Sequence, residues 1–413
     1  MAGGQLNGQA LSLTDLPLIR GGAKGEGAPK PIIANVVMLL KSAHQFFNLR
    51  YDEFSQAPFR GSVKLRDADF LDITNWTQLQ GIHADLRVVT NAIMYVADEC
   101  RFHQVRDYLN GLKWDGKERL DTIFIDYGGA VDTAYTRAVT GKWHIQAVAR
   151  VMEPGCKADH MLILEGIQGL LKSGFFDAMG TPWFIDSVSD LRGKDARQEI
   201  RDAWIIEMAE LNNLHKAEAN HIKSFMTTRS DHYRDSYGRV VQDFPRQCVL
   251  AGTINPGANG YLKDPTGARR FWPVGICKKI DIGIIHDIRD QLWAEAISRY
   301  RDEESWHLTD AAVLKAAAEA QADRYEADLW QDTVAEFIEG RAKVTTQEIL
   351  VEALSLTAKA DWGRAEEMRI GNILTHLGWT RKRGGVGKDR KYSYVPPVEQ
   401  PQLSLALEPD KVG

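Results

Sequence analysis

At 413 residues, with 44% hydrophobic and 26% charged residues, the chain is long enough for two or three cores and has the make-up of an ordinary soluble globular protein. Its net charge of -5 excludes binding of nucleic acid through overall basicity, so any such surface must be local. No stretch approaches the roughly 18 apolar residues of a membrane span, and no apolar segment follows a basic start, so a cytoplasmic protein without membrane contact is expected.

Residues 1–31, rich in glycine and alanine, carry too little apolar content to pack and read as a flexible leader. From residue 32 the apolar positions Ile33, Val36, Val37, Leu40 and Phe47 recur at helical spacing, and LRVVTNAIMYVADECRF continues that pattern. A helical N-terminal domain is therefore expected over 32–112, ending near the turn signal Trp114-Asp115-Gly116. Between 113 and 300 the apolar runs MLILEG, AWIIEM, RQCVLAGT and RRFWPVGI alternate with helical segments, which predicts an α/β domain with a mainly parallel sheet. Residues 301–340 read as a helical connector. Over 341–395, a capping box at Thr345 to Glu348 opens one helix, Ile370, Ile373, Leu374 and Leu377 mark a second that stops at Gly378, and a basic hairpin follows. That order suggests a winged helix, and 396–413 read as a disordered tail. Cys100, Cys156, Cys248 and Cys277 form no CxxC pair; Cys100 with His103 and Cys156 with His160 approach ligand spacing without a second pair, so reduced thiols are expected.

Residues 162–176, LILEGIQGLLKSGFF, place the chemistry. A phosphate-binding loop asks for GxxxxGK[ST] between a strand and a helix, because turn amides and the helix N-terminus must face the phosphates. Met161 to Leu164 supply the strand, Gly166 and Gly169 the turn, Lys172 the cation for the β- and γ-phosphates, and Ser173 the hydroxyl for magnesium. Leu171 stands where the second glycine belongs, and its Cβ crowds the approach of a phosphate.

The strand AWIIEM ends in Glu207, with Glu210 three positions on. An ATPase needs one such acid for the metal and a second to orient the attacking water; Glu207 is assigned to the metal and Glu210 to the water, with the reverse open. Asn255 ends the strand CVLAGTI, where its amide can meet the γ-phosphate or the water. Arg269 and Arg270 precede an aromatic strand, as either a structural pair or an arginine finger from a neighbouring subunit.

The stretches YLNGLKWDGKERLD, PGCKADHMLILEGIQG, WIIEMAEL, GTIN, DPTGARRFWPV and RDQLWAEA, spread over about 100–300, resemble the virulence-associated E family of phages, prophages and plasmid-like islands. That family is similar to superfamily 3 replicative helicases. The resemblance implies an α/β P-loop NTPase fold, ATP and Mg2+ as cofactors, an ATP-driven hexameric ring, and action on DNA in a bacterial host. Lys172, Ser173, Glu207, Glu210, Asn255 and Arg269 or Arg270 would take the roles above.

For nucleic acid, Lys223, Arg229, Arg234 and Arg239 interleave with Phe225, Tyr233 and Tyr237, a pattern suited to single-stranded DNA in a channel unless Asp231 and Asp235 pair these cations in place. The hairpin carries Arg381, Lys382, Arg383, Lys388, Arg390 and Lys391 against the single acid Asp389, which suits duplex DNA. In the tail, Gln402, Leu403, Leu405 and Leu407 resemble the short motif by which bacterial replication proteins bind the sliding clamp. No primase site is evident, so a primase would be a separate chain. The competing readings are a DNA-binding or phage-interference protein that keeps the fold with weak catalysis, and a small-molecule P-loop kinase.

Overall fold

The computed structural model describes residues 16–186, 200–209, 216–234, 240–255, 269–324, 330–356, 362–384 and 391–397. The chain divides into two compact units, residues 1–256 with 269–321 and residues 257–268 with 322–413.

Residues 16–31, the described part of the expected flexible leader, are held in place. Leu18 is buried, and the Asn35 side chain accepts from Ile19 N–H and donates to the carbonyls of Ile19 and Lys30, so residues 18–30 are tied to the first helix, α1 (Ile33–Ser42). The next elements are strands β1 (Leu49–Asp52), β2 (Ala57–Arg60) and β3 (Val63–Lys64), helices α2 (Asp67–Leu79) and α3 (Leu86–Asp98), and strand β4 (Arg101–Phe102). The expected all-helical module thus contains a four-stranded sheet in the order β3-β2-β1-β4. Its strands are two to four residues long and only half buried, too short to show a period of two. α1 and α3 cover it through a core of Val36, Leu39, Leu40, Val89, Ile93 and Val96.

Helix α4 (Gln104–Gly111) belongs to the next core, because Val105 and Leu109 pack with residues of the larger sheet. That sheet holds β5 (Met161–Glu165), β6 (Phe184–Ile185), β7 (Ile205–Met208), β10 (Val249–Ile254) and β11 (Phe271–Gly275); a separate hairpin, β8 (Ser230–Tyr233) with β9 (Gln242–Pro245), intervenes. Its order is β11-β5-β10-β7-β6, with every pairing parallel, as the apolar runs predicted. β5 and β10 are buried along their whole length, which is why they read as continuous apolar runs.

Helices α5 (Ile123–Gly128), α6 (Ala134–Met152) and α7 (Lys172–Gly180), with the long helix Ile282–Arg301, pack around this sheet. Three buried tryptophans bind the layers: Trp143 Nε1 donates to Leu250 O, Trp204 Nε1 to Ala147 O and Trp293 Nε1 to Met179 O, at 2.8–3.0 Å. Each indole buries a large apolar surface while its one donor stays satisfied.

The expected connector over 301–340 is divided. Helix Ala311–Ala322 joins the first unit, where Gln321 Nε2 donates to Phe271 O. Helix Gln331–Ile338 joins the second, placing Val334 and Ile338 against Val344, Ile349, Leu350, Ile370, Ile373, Leu374, Trp379 and Tyr394. The capping box forms as read, with Thr345 Oγ1 accepting from Glu348 N–H and Glu348 Oε2 from Thr345 N–H. Helix Arg364–His376 ends before Gly378, whose φ is 81°. Strands β12 (Thr380–Gly384) and β13 (Lys391–Val395) follow as an antiparallel pair, and Val344 bridges to Tyr394.

Candidate nucleotide site

The carboxyl ends of β5, β7 and β10 meet in a cleft of about 310 Å³ lined by residues 168–169 and 171–174 and by Ala209, Thr253, Ile254 and Asn255. β10 lies between β5 and β7, so residues at its end face the loop after β5 on one side and the acid of β7 on the other. Crevices of this kind at strand ends are where open α/β sheets place ligands.

The loop after β5 turns on Gly166 at φ 156° and Gly169 at φ 89°. A Cβ at Gly166 would lie 2.4 Å from Ile276 O, so glycine is required there. Leu171 adopts φ 59° and ψ 36°, the left-handed conformation that the usual glycine would take without strain, and immediately precedes α7. Its side chain is 42% exposed at the rim of the cleft. Leucine thus keeps the backbone path of the loop, and what it changes is the bulk beside the cleft.

Lys172 opens α7 and is buried, with Nζ donating to Gly166 O at 2.7 Å, Ile167 O at 2.9 Å and Asn255 Oδ1 at 2.9 Å. Burial lowers the pKa of its amine, and the charge of Glu207 opposes that shift. Sequence reasoning placed Lys172 and Asn255 in one site, and they are in contact.

Ser173 Oγ and Thr253 Oγ1 each donate to Glu207 Oε1 at 2.6 Å. Glu207 is 1% exposed, and its Oε2 is buried with no hydrogen-bond donor among the described residues. Burial raises the pKa of Glu207; the two hydroxyl bonds pull it back down, and Asp186 and Asp177 push it further up. Thr253 is the member that sequence reasoning missed: it lies within the GTIN stretch, but only the pairing of β10 with β7 shows that it faces Glu207. A buried carboxylate oxygen left open beside a serine hydroxyl suits a hard divalent ion such as magnesium, with Ser173 and Glu207 as the oxygen donors. Glu210 lies outside the described residues.

Arg269 and Arg270 sit at the other end of the sheet. Phe271, which follows them, pairs with Met161, the first residue of β5, while the phosphate-type loop follows the last. A strand length of roughly 15 Å separates the pair from its own cleft. Arg269 is exposed, and Arg270 Nε is buried without an acceptor among the described residues.

Among the residues expected to touch DNA, the placement differs from the reading. Lys223 is buried at 8% exposure, and the aromatic faces of Phe225 and Tyr233 are buried as well, so these three belong to the core of the segment. Asp231 pairs with Arg246 in a buried two-pronged salt bridge, at 2.6 and 2.8 Å, with the guanidinium stacked on Phe225. Arg229 is exposed but donates from Nε to Gly155 O; Arg234 is exposed at the end of β8. Arg381, Lys382 and Arg383 are exposed on β12, with Arg381 stacked on Tyr392 at 3.7 Å. Arg239, Lys388, Arg390, Gln402, Leu403, Leu405 and Leu407 lie outside the described residues, as does the side chain of Lys391. Among the described residues, no helix is long and apolar enough to cross a membrane.

A family model described as the virulence-associated protein E-like domain matches residues 109–326. Among solved structures, two apo structures of the NrS-1 C-terminal region are similar at 13% and 10% identity, with TM-scores of 0.38 and 0.40, each covering 70% of this chain and 78% of the other. A search of the curated proteins finds no match.

Proposed function

This chain belongs to the virulence-associated protein E-like family, whose domain spans residues 109–326, and from that premise we propose that it is a DNA-dependent ATPase of phage or mobile-element replication, of the superfamily 3 helicase type. The observation that carries the proposal is the knot of Ser173, Thr253 and Glu207, with one carboxylate oxygen left open, beside Lys172 and Asn255.

In this reading the loop amides and the N-terminus of α7 receive the phosphates of ATP. Lys172 exchanges its bonds to the Gly166 and Ile167 carbonyls for phosphate oxygens, which frees Asn255 to meet the γ-phosphate or the attacking water. Magnesium, held by Ser173 and Glu207, would neutralise charge on the phosphates when bound. Glu210 orients the water. Arg269 or Arg270 completes the site from the neighbouring subunit, because its own cleft is out of reach. Hydrolysis then requires a ring, proposed as a hexamer.

Single-stranded DNA would meet the exposed Arg234, together with Arg229 and Arg239, near the β8–β9 hairpin. The second unit, with three helical segments and a basic antiparallel strand pair among its described residues, fits a winged helix whose wing would hold duplex DNA through Arg381, Lys382, Arg383, Lys388, Arg390 and Lys391. The tail residues Gln402, Leu403, Leu405 and Leu407 would dock on a sliding clamp, and a primase would be a separate partner. A cytoplasmic location in a bacterial host follows from that role. The exposed leucine at the cleft favours one second reading, a DNA-binding or interference protein with little hydrolysis.

The test is ATP turnover by the purified protein with and without single-stranded DNA, beside Lys172→Ala. Turnover stimulated by DNA and lost in the variant is expected. Turnover no greater than that of the variant, at concentrations where the protein assembles, would refute the motor and leave the DNA-binding reading.

A further inference from the structure

At the end of the sheet opposite the nucleotide cleft, Asp159, His160 and His307 bring three ligand atoms within 4.8 Å of one another. Asp159 and His160 directly precede β5, and His307 lies beyond the end of the long helix Ile282–Arg301, so the fold itself assembles the group. Asp159 is 7% exposed, and its Oδ1 has no hydrogen-bond partner among the described residues. His160 Nδ1 is likewise buried without a hydrogen-bond partner among the described residues, 3.9 Å from that oxygen, which is too far for a hydrogen bond. Two buried polar atoms thus lie close together without a bond between them, an arrangement that a bound group between them would satisfy.

The surroundings hold these donors in place. The His160 ring stacks on Trp272 at 4.1 Å and 14°, and the His160 carbonyl accepts from Gln146 Nε2 at 2.8 Å. Trp306 Nε1 donates to Lys157 O at 2.8 Å, which ties the chain beside His307 to the loop that carries Asp159.

We propose that Asp159, His160 and His307 form a binding site for a divalent transition-metal ion of the zinc class. Two imidazole nitrogens and one carboxylate oxygen are a donor set that zinc accepts, with water in the remaining position, whereas magnesium and calcium prefer oxygen alone. Bonds of about 2.0–2.2 Å in tetrahedral geometry set the donors roughly 3.4 Å apart, so the group must draw in by about an ångström. Lys142, Lys157 and Arg270 add positive charge nearby, which opposes a dication; Lys142 is already engaged by Glu304 at 3.0 Å. The ion would tie the start of β5 to the segment after the long helix, beside Arg270, without contact with the nucleotide.

The experiment is titration of zinc chloride into the untagged, chelator-stripped full-length protein by calorimetry, with Tm followed in parallel. One zinc per chain and a rise in Tm are expected. Affinity should fall at least about tenfold in Asp159→Asn, which keeps the shape of the side chain, and in His307→Ala, and should be unchanged in the nearby Cys156→Ser. Cobalt in place of zinc should give visible absorption without a thiolate charge-transfer band. Less than one zinc per chain, a thiolate band, or affinity unchanged in Asp159→Asn would overturn the site; if His307→Ala does not fold, Asp159→Asn decides.

Discussion

Leu171 sets two residue-scale effects against each other. Its left-handed backbone costs about 1–2 kcal/mol, and Leu171→Gly removes that strain while raising the entropy of the unfolded chain by a comparable amount. Stability should therefore change by less than about 1 kcal/mol in denaturant titrations. The KM for ATP should fall severalfold as the exposed side chain leaves the rim of the cleft, and a KM that stays put would show that Leu171 does not impede nucleotide. Glu207 gives the opposite separation. Its folded-state pKa is raised, so the fold binds that proton more tightly than the unfolded chain does, and the stability penalty develops as pH rises through the ordinary carboxylate range and is complete above the raised value. Glu207→Gln keeps an acceptor for Ser173 and Thr253 and removes the buried charge. It should melt higher than the parent at pH 7, lose that advantage as pH falls toward about 4, and lose about 10² or more in turnover. A lower Tm at pH 7 would contradict the origin assigned to the shift.

At the scale of elements, the sequence was readable where burial is complete. β5, β7, β10 and β11 are covered on both faces and so announce themselves as apolar runs, and the residues at their ends could be placed before any contact was known. The sheet of β1 to β4 was not readable, because strands of two to four residues packed under helices carry no period of their own. Phe225 and Tyr233 look like a stacking surface in sequence because nothing local distinguishes a buried aromatic from an exposed one; the Asp231–Arg246 pair beneath them is visible only in three dimensions. Thr253 and His307 escaped notice for the same reason, since each acquires its partners from a distant segment. Of the cations expected beyond Gly378, Arg381, Lys382 and Arg383 are exposed on β12 among the described residues, and that strand carries its own prediction. Changing Arg381, Lys382 and Arg383 together to alanine should weaken duplex binding at every sequence and flatten the dependence of log K on log salt by about 2 to 3. A slope equal to that of the parent would remove this strand from the DNA surface.

For the whole molecule, the parallel sheet makes the proposed chemistry a shared one. The cleft opens at the carboxyl ends of the strands, and the arginine pair lies at their amino ends, so a single subunit cannot bring Arg269 or Arg270 to its own Lys172. The proposed ring would resolve this by placing the amino-end face of one subunit against the cleft of the next. The arrangement predicts complementation between two inactive proteins. Lys172→Ala retains the arginines but has no working cleft, and the double change of Arg269 and Arg270 to alanine retains the cleft but offers no finger. Each alone should be inactive, while mixed subunits contain interfaces that join an intact cleft to intact arginines. The measurement is DNA-stimulated ATP turnover of the two variants, separately and after mixing under conditions that let subunits exchange. Recovery of turnover in the mixture, with none in either variant alone, is the predicted result; a mixture as inactive as its components, or substantial turnover by the arginine variant alone, would contradict a site built between subunits.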